Sequence, residues 1–88
     1  MGRPPAHEPV MAPRNLPGFP YARRVRPKTT FAGGLRPRWR DANGDILEWD
    51  ARHGRIERYN ARGTHLGEFD PSTGEQLSPP DTARRVEP

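Results

Sequence analysis

Trp39-Arg40-Asp41-Ala42-Asn43-Gly44-Asp45-Ile46-Leu47-Glu48-Trp49-Asp50-Ala51-Arg52-His53-Gly54-Arg55-Ile56-Glu57-Arg58-Tyr59 holds two periods of a ten-residue beat. Trp39, Trp49, Tyr59 and Phe69 recur at that spacing; Asp50, Asn60 and Asp70 follow the last three, and Gly54, Gly63 and Gly74 come shortly after. After Trp39 the same place is filled by Asp41-Ala42-Asn43-Gly44. Asn-Gly is the strongest short hairpin signal, because both central residues of a type I′ turn need positive φ. Asp70-Pro71-Ser72-Thr73-Gly74 is a second turn, with Pro presetting φ and Gly free of steric limits. Strands at such spacing with turns between them read as an antiparallel meander. The expected strands are Arg36–Asp41, Asp45–Asp50, Arg55–Asn60, His65–Asp70 and Glu75–Leu77. Ile46, Ile56 and Leu66 each lie three positions before an aromatic, so a period of two sets them on opposite faces. The expectation is one aliphatic face and one aromatic face, with Trp39 and Trp49 read as core residues in preference to ligand contacts and Tyr59 the ring that reaches a ligand.

Outward from this stretch the composition changes. Eight prolines fall between Pro4 and Pro37, among few large apolar residues. Such a segment buries too little surface to offset its ordering entropy. Residues 1–35 therefore read as a flexible, basic, Pro/Gly-rich arm, and residues 36–88 as the folded domain, near the lower size limit for one without staples. The fold class expected is mainly β: a small twisted antiparallel sheet preceded by an extended arm. With no cysteine, disulfides and thiolate zinc sites are excluded. His7, His53 and His65 are scattered and make a poor metal set, so neither metal nor cofactor is expected. No apolar run approaches a membrane span, and the N-terminus lacks the apolar core of a secretory signal.

Charge is unevenly placed. Residues 1–40 carry nine Arg/Lys against Glu8 alone, and residues 41–88 carry six Arg against ten Asp/Glu, giving +8 and −4. The arm suits a polyanion, through phosphate contacts and counterion release. The acidic remainder has to rely on placed arginines.

Chemistry concentrates in Asp50, His53 and Glu57. Metal-free RNA cleavage needs one group to take a proton from the ribose 2′-hydroxyl and another to protonate the leaving 5′-oxygen. It also needs a cation for the charge that builds on phosphorus. His53, Arg55, Glu57 and Tyr59 share a face if a strand starts at His53, and four strand positions span roughly 13 Å, enough to admit a phosphodiester. Asp50, across the turn, can hold the imidazole in one tautomer. Taken singly, His53 reads as an exposed turn residue, Glu57 as an exposed strand residue and Asp50 as a turn-former.

Trp39, Glu48-Trp49-Asp50, His53-Gly54, Glu57, Tyr59, His65-Leu66-Gly67, Phe69-Asp70-Pro71, Thr73-Gly74, Gln76-Leu77 and Arg84 form an ordered string. It resembles the cytotoxic ribonuclease domain of the ribosome-cleaving colicins and related bacteriocins and contact-dependent toxins, over about Arg36 to Arg85. The resemblance implies a toxin that acts in the target bacterium's cytoplasm, either as a domain delivered in a secreted toxin or as a free-standing intracellular toxin. There it cuts small-subunit (16S) rRNA at the decoding site of the ribosome. The implied catalytic residues are Asp50, His53, Glu57 and Arg84. Glu57 would act as base, His53 as acid, Asp50 as orienter and Arg84 as support for the phosphorane; the roles of Glu57 and His53 are open to exchange. Arg36, Arg38, Arg40, Arg55, Tyr59 and Arg85 are the expected RNA contacts, and an acidic immunity protein is the implied partner. The alternative is a noncatalytic RNA- or ribosome-binding protein with the same sheet. A purely structural repeat is disfavoured, because only the turn after Trp49 carries Asp-x-x-His-x-x-x-Glu.

Overall fold

The computed structural model describes residues 9–88; Arg3, His7 and Glu8 lie outside the described residues. All regular structure among the described residues is β. In chain order the strands are β1 (Arg23–Val25), β2 (Thr30–Phe31), β3 (Gly34–Leu35), β4 (Arg38–Arg40), β5 (Ile46–Asp50), β6 (Arg55–Tyr59), β7 (His65–Phe69) and β8 (Gln76–Ser78). Six of them form one antiparallel sheet in the order β1-β4-β5-β6-β7-β8, and β2 and β3 form a separate hairpin. The expected meander is the run β4 to β8.

Each turn of the meander is built alike, which is the physical content of the ten-residue beat. Asp41, Asp50, Asn60 and Asp70 each accept, through a side-chain oxygen, the amide two residues on: Asn43, Arg52, Arg62 and Ser72, at 2.7–2.9 Å. Short Asx side chains favour such local bonds, and the chain then leaves through a left-handed glycine. Gly44, Gly54, Gly63 and Gly74 have φ of 84°, 67°, 87° and 77°. The first turn differs from the type I′ expectation, because Gly44 has positive φ and Asn43 does not. Asp41 makes the difference: its Oδ1 also accepts the Asp45 amide at 3.0 Å, stabilising a longer loop.

Register corrects the expected division of faces. Trp39 pairs with Leu47 and Trp49 with Ile56, which in turn pairs with Phe69. Aromatics and aliphatics therefore mix on one face, and Trp39, Leu47, Trp49, Ile56 and Phe69 form the core with Leu16. Ile46 pairs with Tyr59 on the opposite face, and Leu66 stays half-buried outside the core. The offset of three does separate each aliphatic from its own aromatic. Successive strands, however, need not repeat the same parity.

The described part of the arm lies against this sheet. Leu16 is 3% exposed in the core, a burial worth about 2 kcal/mol. Gly18 donates its amide to Pro71 O at 2.8 Å and touches the Gly74 backbone so closely that any Cβ at Gly18 would clash with it. β1 pairs with β4, and Arg24 stacks on Trp39 at 5.0 Å. Val10 clasps the turn after β5: its amide donates to Ala51 O, and its carbonyl accepts the Trp49 indole N–H, both at 2.7 Å. Leu16 and Val10 thus meet partners on the sheet, whereas Met11 and Tyr21 stay exposed.

Candidate active site

The face opposite the core is polar. Glu48, Glu57 and Glu68 sit directly opposite one another on β5, β6 and β7. Like charges in such register repel, and each is matched by an arginine: Arg38 on Glu48 at 2.8 Å, Arg84 on Glu57 at 3.0 Å and Arg55 on Glu68 at 2.7 Å. Beside this row lies a cleft of about 290 Å³, lined by Phe31, Arg36, Asp50, Arg52, His53, Glu57, Glu68 and Arg84. All four expected catalytic residues border it.

Asp50 does two jobs. Its Oδ1 accepts the Arg52 amide of the turn, and its Oδ2 meets His53 Nδ1 at 2.7 Å. Burial alone would raise its pKa, but the His53 bond, the turn amides and the imidazole charge outweigh it and hold the carboxyl below its ordinary value. An ionised carboxylate only accepts hydrogen bonds, so His53 Nδ1 carries the proton and donates it. His53 Nε2 remains for a substrate, on a side chain 57% exposed.

Glu57 is buried and held on both oxygens, with His65 Nε2 on Oε1 at 2.9 Å and Arg84 Nη1 on Oε2 at 3.0 Å. His65 Nδ1 accepts the Asp81 amide at 2.9 Å. A backbone amide always donates, so Nδ1 is bare and Nε2–H points at Glu57. His65 belonged to the matched string but not to the expected site. The shift of register between Arg58 and Tyr59 pairs Tyr59 with His65 and turns His65 toward Glu57. A glycine inside a strand, here Gly67, is the sequence signal for such a bulge.

Arg84 arrives from the C-terminal segment, which lies along the start of β7. His65 N donates to Arg84 O at 3.2 Å, Val86 N to Gly63 O at 2.9 Å, and Thr64 bridges to Arg85. Burial would lower the Arg84 pKa, but Tyr59 and Glu57 outweigh it and the guanidinium is held above its ordinary value. Burial pushes the Tyr59 phenol up, with Arg84 opposing, so Tyr59 is a neutral hydrogen-bonding group.

The expected RNA contacts divide. Tyr59 is 1% exposed, edge-on to His65 at 5.2 Å, so it supports the site from below and offers no ring to a base. Arg38 is likewise 1% exposed and bound to Glu48. Arg40 donates to Gly44 O at 3.0 Å, Arg55 pairs with Glu68, and Arg85 is exposed beside the site. Arg36 lines the cleft, its guanidinium 4.4 Å above the Phe31 ring. As for a cation, Asp50, His53 and Glu68 bring one ligand atom each within 4.8 Å of one another. No helix among the described residues is long and apolar enough to cross a membrane.

The family model described as Cytotoxic matches residues 10–87. A comparison with curated proteins gives no match.

Proposed function

The chain belongs to the Cytotoxic family, the cytotoxic domain of colicin-like ribonuclease toxins, and on that premise we propose that it cleaves small-subunit (16S) rRNA at the ribosomal decoding site, without a metal ion, so that translation stops. The observation that carries this reading is the convergence of Asp50, His53, Glu57 and Arg84 on one cleft. Glu57 takes the proton from a ribose 2′-hydroxyl, and the 2′-oxygen bonds to phosphorus. The bond from phosphorus to the 5′-oxygen breaks, and His53 Nε2 gives that oxygen its proton. The product ends are a 2′,3′-cyclic phosphate and a 5′-hydroxyl. Asp50 fixes the imidazole, and Arg84, 38% exposed at the side chain, steadies the phosphorane charge. The burial of Glu57 and the exposure of His53 favour this division of roles: the acid has to follow a departing oxygen, whereas the base is fixed between two donors. The family also supports an acidic immunity protein as partner and action in a target cell's cytoplasm after delivery.

The test mixes the purified chain with intact ribosomes in chelator and resolves the rRNA on a denaturing gel, beside His53→Ala and Glu57→Ala. One short 3′ fragment with a cyclic phosphate on its partner, absent from both variants, is expected. Cleavage of a short protein-free RNA by the chain only after divalent cation is added, and its loss in Glu68→Gln, would refute metal independence and point to Asp50, His53 and Glu68. Intact rRNA with tight ribosome binding would favour the noncatalytic reading.

A further inference from the structure

The aromatic that should meet RNA is not where the ten-residue beat places it. Trp39, Trp49, Tyr59 and Phe69 are all buried, and Phe19 packs edge-on against Phe69 at 6.1 Å. Tyr21 is 78% exposed but borders clefts with Pro20, Ala22 and Asp41, away from the acid–base residues. Phe31, 38% exposed, is the one ring among the described residues that lines the cleft with His53, Glu57 and Arg84.

We propose that Phe31, with the Arg36 guanidinium stacked on it, receives a nucleobase next to the scissile phosphate and so positions the strand; this rests on the ribonuclease reading above. Phe31 contributes little to the core from its place on the β2–β3 hairpin, outside the main sheet. The hairpin tip, Ala32 and Gly33, has φ of 49° and 83°, and a Cβ on Gly33 would meet nothing within 4 Å. The ring's foundation is nevertheless tied to the catalytic strands. Arg36 N donates to Thr29 O at 2.8 Å, and Thr29 Oγ1 donates to Glu48 Oε2 at 2.7 Å. Glu48 is the cross-strand partner of Glu57.

Arg36 adds a second, independent sign of a ligand. Arg38, Arg55 and Arg84 each pair with a glutamate, whereas Arg36 has no ion pair among the described residues. Its Nη1 is buried without a hydrogen-bond partner. A guanidinium over a ring makes a two-layer step on which an unstacked base can continue the stack, and its charge favours the adjoining phosphate. Phe31 is thus a positioning residue and takes no part in proton transfer.

The test is binding to the full chain carrying His53→Ala, so that nothing is cut. The probes are a single-stranded RNA oligonucleotide and an abasic strand with the same number of phosphates. Phe31→Ala should weaken RNA binding about fivefold or more, as expected for one lost base stack, and leave the abasic strand unaffected. Phe31→Trp should restore binding, and Phe31→Leu, which keeps apolar bulk without a π face, should not. No loss in Phe31→Ala, equal loss on both strands, or rescue by Leu would each overturn the proposal. On intact ribosomes, with His53 restored, the Phe31→Ala loss should fall on KM more than on kcat. Uncut rRNA with the parent chain would refute the ribonuclease reading, whereas identical cutting curves for parent and Phe31→Ala would refute this proposal alone.

Discussion

Two carboxylate–imidazole pairs stand side by side in this protein, and they are built for opposite purposes. In the first, Asp50 is buried and His53 is 57% exposed at its side chain. In the second, Glu57 and His65 are both buried, 6% and 5% exposed at their side chains. His53 has one nitrogen fixed and one open to the cleft. His65 has both nitrogens engaged, by Glu57 and by the Asp81 amide. The roles of the carboxylates are therefore exchanged. Asp50 holds one nitrogen of its histidine and leaves the other toward the cleft, whereas His65 holds one oxygen of its carboxylate. On the proposed mechanism a shared pair of functional groups thus yields an acid in one setting and a braced base in the other: His53 keeps Nε2 open, whereas both oxygens of Glu57 are held by donors.

The largest effect that bears on this contrast is expected at His53. His53→Ala should lower the cleavage rate by about 100- to 10,000-fold, the range for a lost general acid, with little change in thermal stability. A large drop in stability would break the contrast, since it would make His53 a structural residue like His65. Asp50→Asn comes next. Asparagine starts the turn at Asn60, so the fold should survive, while cleavage falls about tenfold to 100-fold, as when a partner that orients a functional histidine is removed. Rates matching the parent would show that His53 needs no orienting. His65→Ala should act mainly on stability. It leaves Glu57 Oε1 and the Asp81 amide short of partners, at about 1–3 kcal/mol by denaturant unfolding, and His65→Gln should recover part of this. Nitrogen NMR sharpens the point: His65 should show the Nε2–H tautomer at neutral pH.

The smallest effect is the pH dependence of stability. Asp50 is held below its ordinary pKa of 3.8 in the folded state. Its contribution is present above that unfolded value and disappears as pH falls through the lower folded one. Acid unfolding of Asp50→Asn should therefore show a shallower loss below about pH 4 than the parent. Superimposable curves would mean that His53 and the turn amides do not favour the charged carboxylate.

Much of the meander was legible because its signals are local. Aromatic, Asx and glycine at fixed spacing describe a strand and its turn without reference to anything distant, and β4 to β8 fall where those signals put them. Asp50, His53 and Glu57 were legible for the same reason, lying within one turn and one strand. Their assembly with Arg84 was suggested by the family resemblance. What escaped depends on pairing between strands. The mixing of Ile56 with Trp49 follows from register, and the inward turn of His65 follows from a bulge. The burial of Arg38 is a related case: nothing near it in sequence says that Glu48 will face it across the sheet. Leu16 and Val10 lie in a Pro-rich segment whose composition argues for an open chain, and only their partners on the sheet reveal them as anchors.

The clasp by Val10 couples the lead-in segment to the turn that carries His53. Val10 holds Ala51 by its amide and Trp49 by its carbonyl, immediately behind the loop that presents His53. A cut ahead of residue 10 leaves the clasp in place. A cut two residues later removes it, frees the Ala51 carbonyl and the Trp49 indole, and slackens the loop at about 1 kcal/mol per lost bond. Chains starting at residue 9 and at residue 12 should differ in cleavage rate although both retain Asp50, His53, Glu57 and Arg84.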